Sequence, residues 1–260
     1  MIKRDELIKT INKIIGEDLL EKANKIDHRA NGVQVSGTQE VNKIALGVST
    51  SMDFFEEAVD SGAEFCIVHH GLDFAGIYNS LLNKSQQQVL KYVFANNLTV
   101  SGYHYSLDAH HEIGNNATII KLIGAKITDD PYFDEWGWVA EFDNAVDAKE
   151  LADKCAEVFE HDVFAVYGGP EKIKRIGVCS GGAKPVGADI HEIAAKNIDL
   201  HLAGEIAEGG PAIARECGFN YFAAGHYATE VFGVQELGKK IKSHYKDMLE
   251  VEFIDIPNPL

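Results

Sequence analysis

Twice along the chain, three short apolar runs alternate with stretches of helical periodicity, and no other feature constrains the fold as much. In the first set, Lys43 to Val48, Glu64 to Val68 and Leu98 to Gly102 read as strands. Ser51 to Ser61 and Ser85 to Asn96 read as the helices between them, with Ser51 as an N-cap, and Asn116 to Ile123 as the helix that follows. In the second set the strands are Lys174 to Cys179, Asp199 to Leu202 and Phe219 to Ala223, and the helices are Gly187 to Lys196 and Ala212 to Cys217. Alternation at this spacing gives parallel or mixed sheets covered by helices. The expected fold class is α/β: two similar α/β units related by a pseudo-twofold, with mixed sheets and flanking helices. Ligands of such sheets bind beyond the strand C-termini, so a site is expected in the cleft between the units.

The remaining segments fit around these repeats. Lys3 to Ile15 carries Leu7, Ile8, Ile11, Ile14 and Ile15 on one face and predicts a helix. A short polar stretch follows, then a loop and short strand at Asn31 to Val35. Between the repeats, Asp129-Asp130-Pro131 is a turn signal, and Trp136, Trp138, Ala140 and Phe142 alternate as in a half-buried strand. A helix at Asp147 to Glu160, a strand at Val163 to Val166 and a turn at Gly168-Gly169-Pro170 complete the interval. The division expected is residues 1–126 with 235–260 as one domain and 127–234 as the other.

The chain has 260 residues, 45% of them hydrophobic and 25% charged, which is enough to bury an ordinary core and excludes a disordered protein. No apolar stretch reaches the roughly 18 residues of a spanning helix. Met1 to Glu6 has no apolar stretch behind its basic pair, so no signal peptide is expected and the protein is placed in the cytoplasm. The formal charge is −16. A field of that sign repels phosphate backbones and anionic membranes, and nucleic acid is not expected as the main partner. Cys66, Cys155, Cys179 and Cys217 stand far apart without a CxxC pair, and read as reduced thiols, three of them in apolar runs.

The chemistry concentrates at three strand ends: His69-His70, His104 through Asp108, and His226 through Glu230. The last two match as His-Tyr-x-x-acid, one in each repeat, so His104 is expected to overlay His226. Imidazole and carboxylate suit zinc, iron, manganese or nickel. A His and an acid four apart share a face if the segment is helical. Adjacent histidines in extended chain splay, which lets each reach a different metal, and the two oxygens of Glu230 can bridge. Together these pieces describe a two-metal site with ions roughly 3.5–4 Å apart. His110 and His111 read equally as a solvated turn or as supporting groups. There is no phosphate-loop motif and no GxSxG elbow. Ser180-Gly181-Gly182 and Glu208-Gly209-Gly210 read as tight turns, with anion binding by their backbone as the other reading.

Several stretches, taken in order, are similar to those of the Nif-three-like family, also called GTP cyclohydrolase 1 type 2 homologs. They are Asn31-Gly32-Val33-Gln34-Val35, Val68-His69-His70-Gly71, Tyr103-His104 through Asp108, Ala203-Gly204-Glu205, Gly225-His226-Tyr227-Ala228-Thr229-Glu230, and Glu252 through Asp255 with Asn258-Pro259. The resemblance implies two divalent transition-metal ions per chain. His70 and Asp108 would complete one site, His69 and His226 the other, with Glu230 bridging. It also implies two similar α/β domains, a ring-shaped homohexamer and the short form of the family without an inserted domain. Two departures stand out. Family members often carry His-Thr-Asn-Leu-Asp where this chain has His104-Tyr105-Ser106-Leu107-Asp108, and many follow the acid at Glu205 with a His four residues on, where this chain has Gly209.

The first functional reading is a metal-dependent hydrolase acting through a metal-bound water on a small molecule, a nucleotide such as GTP if the family's name holds. His104 is then the candidate for proton transfer or a substrate contact, with support of Asp108 as its other role. The second reading is a metal-binding scaffold, metal chaperone or regulatory interaction protein without turnover.

Overall fold

The computed structural model describes residues 1–73 and 81–259. The chain forms two compact units, Met1–Leu107 with Gly233–Ile256, and Asp108–Phe232 with the chain from Pro257.

In the first unit, β1 (Ile2–Lys3) pairs antiparallel with β3 (Glu40–Val41). A larger sheet is built from β2 (Asn31–Val35), β4 (Lys43–Ser49), β5 (Phe65–His70), β6 (Thr99–Tyr103) and β13 (Glu250–Phe253). Its order is β13-β4-β5-β6-β2, with the first four strands parallel and β2 antiparallel at the edge. The near-continuous apolar runs of β4 and β5 reflect burial on both faces, as in parallel sheets generally, and β6 is buried throughout although it carries Thr99 and Ser101. The helix α1 (Arg4–Ile15) buries Leu7, Ile11 and Ile15. Ser51 caps α3 (Met52–Asp60) by accepting from Phe54 N at 3.1 Å, and Phe54, Phe55 and Ala58 face the core. The helix α4 (Lys84–Ala95) is fixed by a capping box in which Asn83 and Gln86 bond each other's backbone. The polar stretch after α1 is in fact a helix, α2 (Glu17–Ile26). Its composition is mostly polar, and only Leu20 and Ala23 are buried, so the apolar periodicity was too thin to show.

The second unit holds a sheet of β7 (Lys126–Tyr132), β8 (Gly137–Asp147), β9 (Phe164–Val166), β10 (Lys172–Val178), β11 (Leu200–Ala203) and β12 (Asn220–Ala223), in the order β7-β8-β10-β11-β12-β9. Strands β10, β11 and β12 are parallel, and β7, β8 and β9 run antiparallel to their neighbours. One face packs on α6 (Asn115–Ile123) and α7 (Ala148–Phe159). Another cluster takes Ile193 from α8 (Ala188–Ala195) and Ala214 from α9 (Gly210–Cys217). Asp129-Asp130-Pro131 does not turn: it lies inside β7. Pro131 is tolerated because β7 is an edge strand, and it pairs with Trp138 just after a register shift. The turn comes later, at Phe133, Asp134 and Glu135, all with positive φ. Trp136 therefore precedes β8, while Trp138, Ala140 and Phe142 lie in it as expected. The junction expected at residue 126 falls inside this unit, because α6 buries Ile119, Ile120 and Ile123 in its core.

The two units repeat one topology. An early edge strand is followed by three parallel strands with a helix after each of the first two, and it then pairs antiparallel beside the third. That gives β4-β5-β6-β2 in the first unit and β10-β11-β12-β9 in the second. A residue placed after the third strand of each repeat, His104 after β6 and His226 after β12, therefore holds the same topological position. The long helix α10 (His226–Tyr245) starts at that point in the second unit and continues into the first, where Gly238 lies so close to Leu46 that a Cβ would meet its Cδ1 at 2.3 Å.

Candidate metal centre

In the first unit three imidazoles converge. His69 and His70 are the last two residues of β5, and His104 follows β6. Ring centroids lie 4.8 Å apart for His69–His70, 4.9 Å for His69–His104 and 5.4 Å for His70–His104. One nitrogen from each lies within 4.8 Å of the other two. The splay expected of adjacent strand histidines is thus largely closed, because each ring is held from its own side. His69 Nδ1 lies 3.0 Å from the Tyr103 carbonyl, and His70 Nδ1 3.0 Å from Ser49 Oγ. His104 Nδ1 lies 2.9 Å from Asp27 Oδ2. A carbonyl or carboxylate can only accept, so His69 and His104 carry their proton on Nδ1 and present Nε2 as the lone-pair nitrogen. Metal-ligating histidines show this arrangement.

Asp27 was not singled out in the sequence. It ends α2, its side chain is fully buried, and it accepts from Arg29 N, Asn31 Nδ2, Tyr105 N and His104 Nδ1 at 2.9–3.1 Å. Burial would raise its carboxyl, but the His104 ring and these backbone donors hold it well below the usual carboxylate range. Asn31 also accepts from Ser106 N at 2.9 Å. The Asn31-Gly32 stretch thus serves the histidine cluster rather than a separate loop.

In the second unit, His226 and Glu230 begin α10 and share a face four residues apart, with Nε2 and Oε2 at 3.2 Å. On the other side, His226 Nδ1 donates to Glu205 Oε1 at 2.5 Å, and Lys184 Nζ bonds Glu205 Oε2. Burial works against a charged imidazole here, but Glu230 and Glu205 outweigh it, and His226 is raised to about 9. Lys184 and His226 in turn hold Glu205 below its ordinary value. Asp108 is buried, and its Oδ1 accepts from Ser180 Oγ at 2.8 Å and Asn115 Nδ2 at 3.0 Å. Thr229 explains the small residues around it: its hydroxyl accepts from Gly181 N at 2.9 Å and clamps the Ser180-Gly181-Gly182 turn against α10. Gly181 has φ +64°, and a Cβ on it would meet Glu230 Oε1 at 2.1 Å, so any other residue would be strained there and would push the Glu230 carboxylate aside.

Three further histidines are held by their neighbours. His110 Nδ1 accepts from Glu112 N and Ile113 N, which makes its segment a turn, and His111 packs edge-on against Trp138. His201, to which the sequence assigned nothing, is fully buried between Tyr132 OH at 2.7 Å and the Ala183 carbonyl at 2.8 Å, and burial lowers it to about 4. Cys66, Cys155 and Cys179 are buried free thiols and Cys217 is exposed. Burial pushes Cys66 up to about 12, which makes it a poor nucleophile.

The donors are therefore imidazole and carboxylate, with each ring oriented by a second group, and this chemistry fits borderline divalent ions. Comparison with known proteins places the chain in a family. The family model Duf34/NIF3 (NGG1p interacting factor 3) matches residues 2–259. The chain belongs to the Duf34/NIF3 family. A Salmonella typhimurium relative, named GTP cyclohydrolase 1 type 2 homolog, is 35% identical, and the match covers 99% of this chain and 100% of that one. The Escherichia coli K12 relative of the same name is also 35% identical with the same coverage. The solved structure of the protein ybgI, of unknown function, has a TM-score of 0.87 at 34% identity and covers both chains completely. HcgD from Methanocaldococcus jannaschii, in its reduced form, shares the fold with a TM-score of 0.82 at 23% identity over 98% of each chain. No helix among its described residues is long and apolar enough to cross a membrane.

Proposed function

We propose that the protein is a dinuclear metal-dependent hydrolase of the Duf34/NIF3 family. Its ligands are His69, His70, Asp108, His226 and Glu230, with His70 and Asp108 on one ion, His69 and His226 on the other, and Glu230 bridging. The observation that carries this reading is the orientation of the rings. His69 is turned by the Tyr103 carbonyl and His226 by Glu205, so that each presents Nε2 rather than Nδ1. When bound, two such ions supply Lewis acidity and a water nucleophile at neutral pH. Ser180 and Asn115 fix the rotation of Asp108, and the Gly181 turn leaves room for the Glu230 carboxylate. His104 acts at the same centre, in proton transfer or substrate contact. The metals are drawn from zinc, iron, manganese and nickel. A nucleotide such as GTP is the substrate suggested by the name of the 35% identical relatives. The assembly is a homohexamer and the location cytoplasmic.

Elemental analysis of the purified protein tests the centre. Two ions per chain are expected, with both lost from Glu230→Ala; normal metal content in that variant sinks the bridging role. A hydrolase panel with and without chelator then separates the enzyme from a metal-holding scaffold, which would show no chelator-sensitive turnover. Size-exclusion chromatography with light scattering reads the hexamer.

A further inference from the structure

We infer that His104 is itself a metal ligand, the first-repeat counterpart of His226, and that Asp27 is the residue that positions it. The inference rests on the metal-centre reading, adds a sixth donor to it and replaces the proton-transfer or substrate role given to His104 there. Two independent observations carry it. The first is topological: His104 follows β6 and His226 follows β12, the same place in the two repeats. The second is that both rings are oriented by the same device. His104 Nδ1 donates to Asp27 at 2.9 Å, and His226 Nδ1 donates to Glu205 at 2.5 Å. In each case the carboxylate comes from a distant part of its own unit, so the likeness is not a product of local sequence.

The geometry around His104 matches ligation. One of its ring nitrogens lies within 4.8 Å of one from His69 and one from His70, which puts it at the same centre as both. Asp27 is a fully buried side chain held by four donors, Arg29 and Asn31 from one stretch of chain and His104 and Tyr105 from another, so the His104 ring is fixed in place. Such a carboxylate locks the Nδ1–H tautomer, leaves Nε2 as the donor nitrogen and raises its basicity toward a metal.

The test uses the full-length protein loaded with zinc or cobalt(II), and needs no substrate. Wild type, His104→Ala, His69→Ala, Asp27→Asn and Asp27→Glu are compared, with circular dichroism as the check on folding. X-ray absorption counts imidazoles per zinc, cobalt(II) visible absorption reports coordination, and competition with a chelating dye gives affinity. His104→Ala is expected to lose one imidazole from the count, change the cobalt spectrum and weaken one ion by at least about tenfold. Asp27→Asn is expected to weaken the same ion by roughly 10- to 100-fold, the usual cost of removing an outer partner, with partial recovery in Asp27→Glu. If His69→Ala loses metal while His104→Ala keeps its affinity, imidazole count and cobalt spectrum, the inference is overturned and the five-ligand centre stands. If the wild type binds neither ion, both fail together. Should Asp27→Asn not fold, the His104→Ala comparison still decides the ligand.

Discussion

Acidification tests the buried histidine of the second unit. His201 donates from Nε2 to the Ala183 carbonyl, so Nδ1 is an acceptor for the Tyr132 hydroxyl, and no proton fits between them. Burial lowers its pKa from 6.5 to about 4, with the Ala183 bond recovering part of the loss. A histidine whose folded pKa is depressed binds its proton less readily than in the unfolded chain. Its stabilising effect is therefore complete above 6.5 and is lost as pH falls from there through about 4. At about 1.36 kcal/mol per unit, the difference amounts to about 3 kcal/mol. The assay is urea unfolding of metal-stripped protein across pH about 7 to 4, for wild type and His201→Gln, whose amide can keep both hydrogen bonds without titrating. The stability advantage of wild type over the variant should shrink by about 3 kcal/mol across that range. Because Ala183 ends the turn that carries Ser180 and Gly181, metal affinity should weaken in parallel. An advantage that stays constant with pH would refute the reasoning.

Four further outcomes are expected. Gly181→Ala should destabilise the protein by about 1–2 kcal/mol through its positive φ and displace Glu230, which thermal melts and metal content would register; normal values for both would contradict the close approach. Iodoacetamide should label Cys217 in the folded protein and spare Cys66, Cys155 and Cys179, so that a mass spectrum with alkylated Cys66 would show its strand to be open. Ser51→Ala should cost about 1 kcal/mol in denaturant unfolding by removing the cap of α3, and a neutral result would mean the cap bond is replaced. Duplex DNA should not bind at physiological salt given the net charge of −16, and tight, salt-resistant binding in a gel-shift assay would reverse that expectation.

What the sequence determined by itself was local. Apolar runs located strands of both repeats, because burial on two faces leaves a continuous run, as in β4 and β5. The histidines and acids at strand ends were visible as residue types at matched positions, and His226 and Glu230 were expected on one helical face, where they lie. Where burial was sparse or a local signal was outvoted, sequence reading failed: α2 buries only Leu20 and Ala23, and Pro131 is tolerated in an edge strand. Tertiary structure alone decided how the functional rings are oriented. Asp27 lies 77 residues from His104, and Ser180 lies 72 from Asp108, separations at which no spacing rule pairs a donor with an acceptor. Periodicity is a property of neighbours along the chain, whereas a tautomer is set by whatever group the fold brings against Nδ1.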